Sequence, residues 1–279
     1  MKITVASGKG GTGKTTVAVS LALAHEGPLC LADADVEEPN LHIFLGEGVE
    51  FEEEEIIGIP IPRVDEEKCT LCGVCQEVCQ YNAILVTKNG VKIFDELCKG
   101  CGGCTLLCPE KAISEVPFRV GKIRRGKKNS INFIEGLLDL GNINTTYMIK
   151  QLKDRIKMDR VVIDAPPGVS CPMMECVKDA DYVVLVTEPT PFGLFDLDLS
   201  VKVLRKMKIP FGVIVNKDTS RFPDLDAYLE REDVSVLMRI PFKKEIAHSY
   251  ASGVPLIEAF PEWRNRFQEL WEKVEAKVR

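Results

Sequence analysis

SGKGGTGKTT, residues 7–16, lies between the apolar run KITVA at 2–6 and a second apolar run that starts at Thr16 and is closed after His25 by Gly27-Pro28. A strand, a glycine loop and a helix in that order let backbone amides turn inward and point a helix N-terminus at an anion. Gly8, Gly10 and Gly13 also satisfy G-x-G-x-x-G, the spacing of dinucleotide-binding loops. Lys14 and Thr15 decide between the two readings. A lysine there reaches the outer phosphates and a threonine hydroxyl binds magnesium, and a dinucleotide loop requires neither. Gly8, Gly10, Gly11, Thr12, Gly13, Lys14, Thr15 and Thr16 are therefore the candidate contacts to a nucleoside triphosphate with Mg2+.

Outward from the loop, short apolar runs at 29–32, 161–163, 182–186, 212–215 and 236–240 read as buried strands. Between several of them apolar residues recur at helical spacing, as in Met148, Ile149, Leu152 and Ile156, or Leu197, Val201 and Leu204. Strands that alternate with helices and are buried on both faces predict an α/β fold with a doubly wound, mostly parallel sheet. Ligands of such sheets gather at the carboxyl ends of the strands. Asp33 and Asp35, Asp164, and Asn216 with Lys217 fall at those ends.

From Pro62 to Pro117 the pattern changes. Cys69, Cys72, Cys75 and Cys79 recur at Cys98, Cys101, Cys104 and Cys108 with a constant offset, and Ala83-Ile84 recurs as Ala112-Ile113. Two copies of C-x2-C-x2-C-x3-C form the bacterial ferredoxin signature, in which three thiolates of one copy and the fourth of the other hold each 4Fe–4S cluster. The expected ligand sets are Cys69, Cys72, Cys75 with Cys108, and Cys98, Cys101, Cys104 with Cys79. Pro109 follows Cys108 as the signature has it, whereas Gln80 follows Cys79. Zinc needs only four ligands and has no use for the third cysteine of each run.

The chain has 279 residues, 45% of them hydrophobic, which suffices for one large or two modest domains. Its start lacks a charged and then apolar leader, and no apolar run is long enough to span a bilayer, so the cytoplasm is expected. In that compartment eleven cysteines point to metal rather than to disulfides. A net charge of −6 argues against a nucleic-acid-binding surface. Six cations between Arg119 and Lys128 and an acidic run at Glu50 and Glu52–Glu55 read as two solvated loop or hairpin faces.

With these residues together, the sequence resembles the MinD/ParA/Mrp class of deviant Walker ATPases, specifically members with an inserted ferredoxin domain. The resemblance covers nearly the whole chain: a P-loop ATPase domain at 1–62 and 118–279, and an α+β ferredoxin-like domain with two 4Fe–4S clusters at 63–117. Lys9 stands at the lysine that marks the class, which implies a homodimer formed on ATP, each Lys9 crossing to the partner's nucleotide. The stretch DADVEEPNL at 33–41 resembles the second acidic motif of the class, with Asp35 orienting the attacking water and Asp33 close to Mg2+. Asp164 resembles the Walker B aspartate that opens a γ-phosphate-sensing loop, DAPPG. Asn216 and Lys217 resemble the strand end that reads adenine, and Pro241 belongs to the later loop that lines the base. Glu188-Pro189-Thr190 matches the class without an assignable role.

Of the three remaining cysteines, two lie in CPMMEC at 171–176. Cys171 follows Asp164 by the spacing at which the nitrogenase iron protein, a distant relative, places a cluster ligand, so a third, bridging cluster at Cys171 is an expectation of that likeness. On a helix Cys176 would point about 140° away from Cys171. The three histidines and Cys30 read as structural, and the apolar stripe of the last helix, Trp263, Phe267, Leu270, Trp271, Val274 and Val278, reads as docking on its own sheet rather than on a membrane. The expected protein is a slowly hydrolysing, dimeric ATP switch coupled to iron–sulfur chemistry. Its partners would be a protein electron donor or acceptor, or an apo iron–sulfur acceptor. The alternative is a MinD-like spatial organiser that uses the ferredoxin as a redox sensor or docking module.

Overall fold

The computed structural model describes residues 1–45, 49–219 and 222–278. In chain order its elements are β1 (Lys2–Ala6), α1 (Lys14–Ala24), β2 (Leu29–Asp33), α2 (Leu41–Phe44), β3 (Glu50–Val64), α3 (Val74–Val78), β4 (Ile84–Thr87), β5 (Gly90–Ile93) and α4 (Gly103–Leu107). There follow β6 (Ile113–Lys128), β7 (Ile131–Leu138), α5 (Thr145–Asp154), β8 (Val161–Asp164), α6 (Cys171–Val177), β9 (Tyr182–Thr187) and α7 (Pro191–Met207). The last are β10 (Phe211–Asp218), α8 (Pro223–Arg231), β11 (Val236–Pro241), α9 (Lys244–Ala251), α10 (Leu256–Ala259) and α11 (Glu262–Val278). The chain divides into two compact units, one of residues 1–54, 123–137 and 149–279, the other of 55–122 and 138–148.

In the first unit the apolar runs pair as their burial requires. β2, β8 and β9 are buried along their whole length, and β1 except at Lys2, because helices cover both faces. Among the described residues the strand order is β11-β10-β9-β1-β8-β2-β7-β6-β3. β1 runs parallel to β8 and β9, β2 to β7 and β8, and β10 to β9 and β11. The parallel α/β sheet expected from the sequence is thus present. α11 presents Phe267, Leu270 and Val274, each at most 1% exposed, to the core, and Trp271 Nε1 donates to Leu21 O at 2.8 Å. Full burial of each such side chain contributes roughly 1.5–3 kcal/mol, so the stripe is engaged inside the unit from Trp263 to Val274, whereas Val278 is exposed.

Three strands of this sheet, β3, β6 and β7, escaped the sequence reading. The acidic run lies on β3 and the basic run on β6, and within the first unit Arg125 meets Glu53 at 2.8 Å and Lys127 meets Glu52 at 3.5 Å. Exposed pairs of this kind contribute at most about 1 kcal/mol, and opposite charges on facing strands favour the correct pairing. β6 turns into β7 through Asn129, whose φ of 54° is a turn conformation asparagine tolerates.

The second unit repeats itself in structure as in sequence. Gly73 and Gly102 adopt the left-handed conformation ahead of the five-residue helices α3 and α4, and Ala83 and Ala112 are both buried. β4 and β5 form an antiparallel hairpin. Arg63 grips Asp95 with two hydrogen bonds of 2.8 and 2.7 Å. The unit reaches past 63–117 at both ends because β3 and β6 are single long strands.

Candidate functional site

The glycine loop of the first unit has the conformation its glycines permit. Gly11 and Gly13 lie at φ 76° and 89°, in the region other residues avoid. A side chain on Gly13 would collide with the Asn216 amide, and that amide donates to Thr12 O at 2.8 Å. Lys217 Nζ donates to Gly11 O at 2.7 Å. Asn216 and Lys217 thus brace the loop from the end of β10, while Pro241 ends the neighbouring β11 and Phe242 N donates to Asp218 O at 3.0 Å. α1 starts at Lys14 with no side-chain cap and no acid in its first turn, which leaves its leading amides free for an anion.

Around Lys14 the strand ends gather acids. Lys14, 8% exposed, brings its ammonium to 3.3 Å from Asp35 and 3.7 Å from Asp164. Burial pulls the Lys14 pKa down, but Asp164, Asp35 and Asp33 outweigh it and hold the ammonium above the ordinary lysine value. Burial pushes Asp164 and Asp35 up, with Lys14 opposing it in both, and burial together with Asp164 pushes Asp33 well up. Thr15 Oγ1 donates to Asp164 Oδ2 at 2.6 Å, and Asp164 Oδ1 is buried with no hydrogen-bond partner. A buried carboxylate oxygen with no hydrogen-bond donor, held only by the ion pair to Lys14 and beside a threonine hydroxyl, fits a divalent cation. Thr12 Oγ1 is a second buried, unpartnered polar atom on the loop.

Asp33 gives both carboxylate oxygens to backbone amides. Its Oδ1 accepts from Asp35 N at 3.1 Å and its Oδ2 from Asn40 N and Leu41 N at 3.0 and 2.9 Å, so both oxygens anchor the 35–41 loop. Lys9 ion-pairs with Glu188 of its own chain, and Lys217 reaches the same carboxylate at 3.3 Å. Glu188 is therefore a site residue that sequence reasoning left without a role. The available signal was a carboxylate directly after a fully buried parallel strand. Glu135, fully buried on β7, was missed altogether.

In the second unit, two hollows are lined by cysteines. One takes Cys69, Cys72, Cys75 and Cys108 into its wall; the other takes Cys79, Cys98, Cys101 and Cys104. Burial pushes the Cys75, Cys98 and Cys104 thiols up. The amides of Ala83, Gly100 and Ala112 donate to Cys79, Cys98 and Cys108 Sγ at 3.3, 3.4 and 3.3 Å. Among the described residues no three His, Cys, Asp or Glu side chains converge on a single metal ion. In the first unit Cys171 is exposed at the start of α6, whereas Cys176 is buried and its thiol pushed up by that burial. No described helix is long and apolar enough to cross a membrane.

Residues 3–256 match the CobQ/CobB/MinD/ParA nucleotide binding domain. An uncharacterized protein of Methanocaldococcus jannaschii is 28% identical over 97% of this chain and 96% of its own length. An iron–sulfur cluster carrier protein of Pyrococcus abyssi is 27% identical over 92% of this chain and 79% of its own. The fold is similar to that of the septum site-determining protein MinD complexed with Mg-ADP from Pyrococcus horikoshii, with a TM-score of 0.57, 23% identity, and coverage of 98% of this chain and 95% of that one. With a glycine loop, a buried lysine and a buried strand-end carboxylate arranged for a nucleotide, and with a family match over most of its length, the chain belongs to the CobQ/CobB/MinD/ParA family of nucleotide-binding proteins.

Proposed function

We propose that the protein is an ATP-hydrolysing dimeric switch that couples its nucleotide state to iron–sulfur chemistry, with two 4Fe–4S clusters in the second unit. The observation that carries this reading is the lining of the two hollows: each combines three cysteines of one copy with the fourth cysteine of the other. That crossed set is the donor pattern of two-cluster ferredoxins. The clusters, when bound, supply one-electron chemistry. Similarity to proteins named iron–sulfur cluster carriers supports delivery of clusters as the task, with an apo acceptor as partner. Electron transfer under ATP control remains the competing use.

At the nucleotide, Mg2+ would be held by Thr15 and Asp164 and, when bound, supplies Lewis-acid polarisation of the phosphates. Lys14 neutralises charge on the outer phosphates, and Asp35 orients the attacking water. Asp33 acts by holding the loop that carries Asp35. Asn216, Lys217 and Pro241 belong to the side that receives the base. Lys9, tied to Glu188 in one chain, must exchange that partner to reach the nucleotide of a second chain. Glu188→Gln is accordingly expected to lower the protein concentration needed for ATP-dependent dimerisation about fivefold, from an ion pair of about 1 kcal/mol. Sedimentation of wild type and variant with a non-hydrolysable ATP analogue measures it.

Anaerobic iron and sulfide quantitation with EPR of the reduced protein tests the whole reading, on wild type and Cys171→Ala, with and without ATP. About eight irons per chain are expected for two 4Fe–4S sites, and a protein that binds none after reconstitution removes the iron–sulfur half of the proposal. Iron in excess of that count, present only with ATP and lost with Cys171, marks a third cluster bridging two chains.

A further inference from the structure

Glu135 interrupts the apolar run INFIEGLL of β7 and is fully buried. Taking a carboxylate out of water costs several kcal/mol unless partners compensate, and two do. Arg124 Nε donates to Oε1 at 2.7 Å, with a second bond from Nη2, and His42 Nδ1 donates to Oε2 at 2.9 Å. Phe51 covers the group, its ring 4.2 Å from the Arg124 guanidinium and edge-on to the His42 ring. An apolar residue at 135 would fill β7 at no electrostatic cost, and exchanges of that kind are often neutral or stabilising. The pattern of partners distinguishes this carboxylate from a simple core stabiliser.

In the parallel register Glu135 is paired with Asp33 of β2, and Asp33 with Asp164 of β8, so three acids stand at one level on neighbouring strands. Asp33 holds the amides of residues 40 and 41, and Glu135 holds the side chain of residue 42. Three consecutive residues are thereby tied to two adjacent strands. α2, only four residues long and without a side-chain cap from Asn40, cannot hold that position by itself. The other end of the same segment carries Asp35 to within 3.3 Å of Lys14.

We infer that Glu135, clamped by Arg124 and His42, is a positioning residue for the segment Asp33–His42 and, through it, sets Asp35 at the terminal phosphate of ATP. The inference rests on the reading that Asp35 acts there. Arg124 lies on β6, so the clamp also fastens the strand along which the chain returns from the second unit.

The test is steady-state Mg-ATP hydrolysis by the full-length protein and by His42→Ala, His42→Asn, His42→Gln and Asp35→Asn. His42→Ala is expected to lower kcat about tenfold, the cost of a misplaced reacting group, with KM unchanged and the thermal midpoint lowered, because Glu135 Oε2 loses its buried partner. Asparagine, whose amide nitrogen takes the place of Nδ1, should restore kcat to within about twofold, and glutamine, whose nitrogen reaches the place of Nε2, should not. Unaltered kcat in His42→Ala, a change confined to KM, or equal behaviour of the asparagine and glutamine variants overturns the inference. Should the alanine variant not fold, the asparagine–glutamine comparison decides alone. Full activity in Asp35→Asn would instead remove the reading of Asp35 on which the inference stands.

Discussion

Lys14→Met is expected to lower kcat/KM for ATP roughly a hundred- to a thousandfold, the range for loss of one preorganised group that stabilises developing charge. The ammonium is buried beside Asp35 and Asp164, and Asp33 also acts on it. Its removal therefore does more than lose a phosphate contact. The buried Asp164 and the half-buried Asp35 are left without their cation, and breaking a fully buried pair on one side costs about 3–5 kcal/mol, the upper end for this site. The raised pKa of Lys14 gives the same sign: its contribution to stability is complete at neutral pH and lost only as the pH rises through the folded-state value. The apo variant should melt below the wild type, and Mg2+ alone should raise its melting temperature more than that of the wild type. ATPase assays and thermal scans with and without Mg2+ measure both effects; wild-type turnover in the variant would deny Lys14 its place at the phosphates.

The second large effect concerns the crossed cysteines. Cys108→Ser is expected to reduce the iron bound from about eight to about four per chain, with loss of the EPR signal of the hollow lined by Cys69, Cys72 and Cys75. Cys79→Ser should remove the other centre, although Cys79 lies in the same copy of the repeat as those three. Variants of Cys69 and Cys108 should thus share one spectrum, and variants of Cys79 and Cys98 another. Loss that instead followed sequence copy, with Cys69 and Cys79 alike, would contradict the crossed assignment.

The phosphate loop was legible because its chemistry is local: the glycines, Lys14 and Thr15 all act within a few residues of one another. The buried strands were legible because a parallel sheet covered on both faces demands continuous apolar runs. β3 and β6 were not, since their visible feature was charge, and Glu53 and Arg125 explain each other only once the strands are side by side. Glu135 was hidden for a related reason. A single acid in an apolar run gives no sign of its partners when these lie 11 and 93 positions away. Ile156, counted with the stripe of α5, falls just past the end of that helix, where its amide bonds back to Lys153 O. Periodicity in a short window does not mark where a helix stops.

The chain leaves the first unit along β3, comes back along β6 and leaves again for residues 138–148; in the first unit's sheet β3 and β6 are neighbours, so the longer excursion begins and ends on adjacent strands. Exit and return therefore lie side by side, which makes the cysteine-bearing excursion a module in the evolutionary sense. Such an excursion can be acquired, enlarged or deleted at the sheet margin without moving a strand next to the phosphate loop, because insertions are tolerated where the two chain ends are close. A nucleotide domain built in this way can change the chemistry it governs while keeping the switch that governs it.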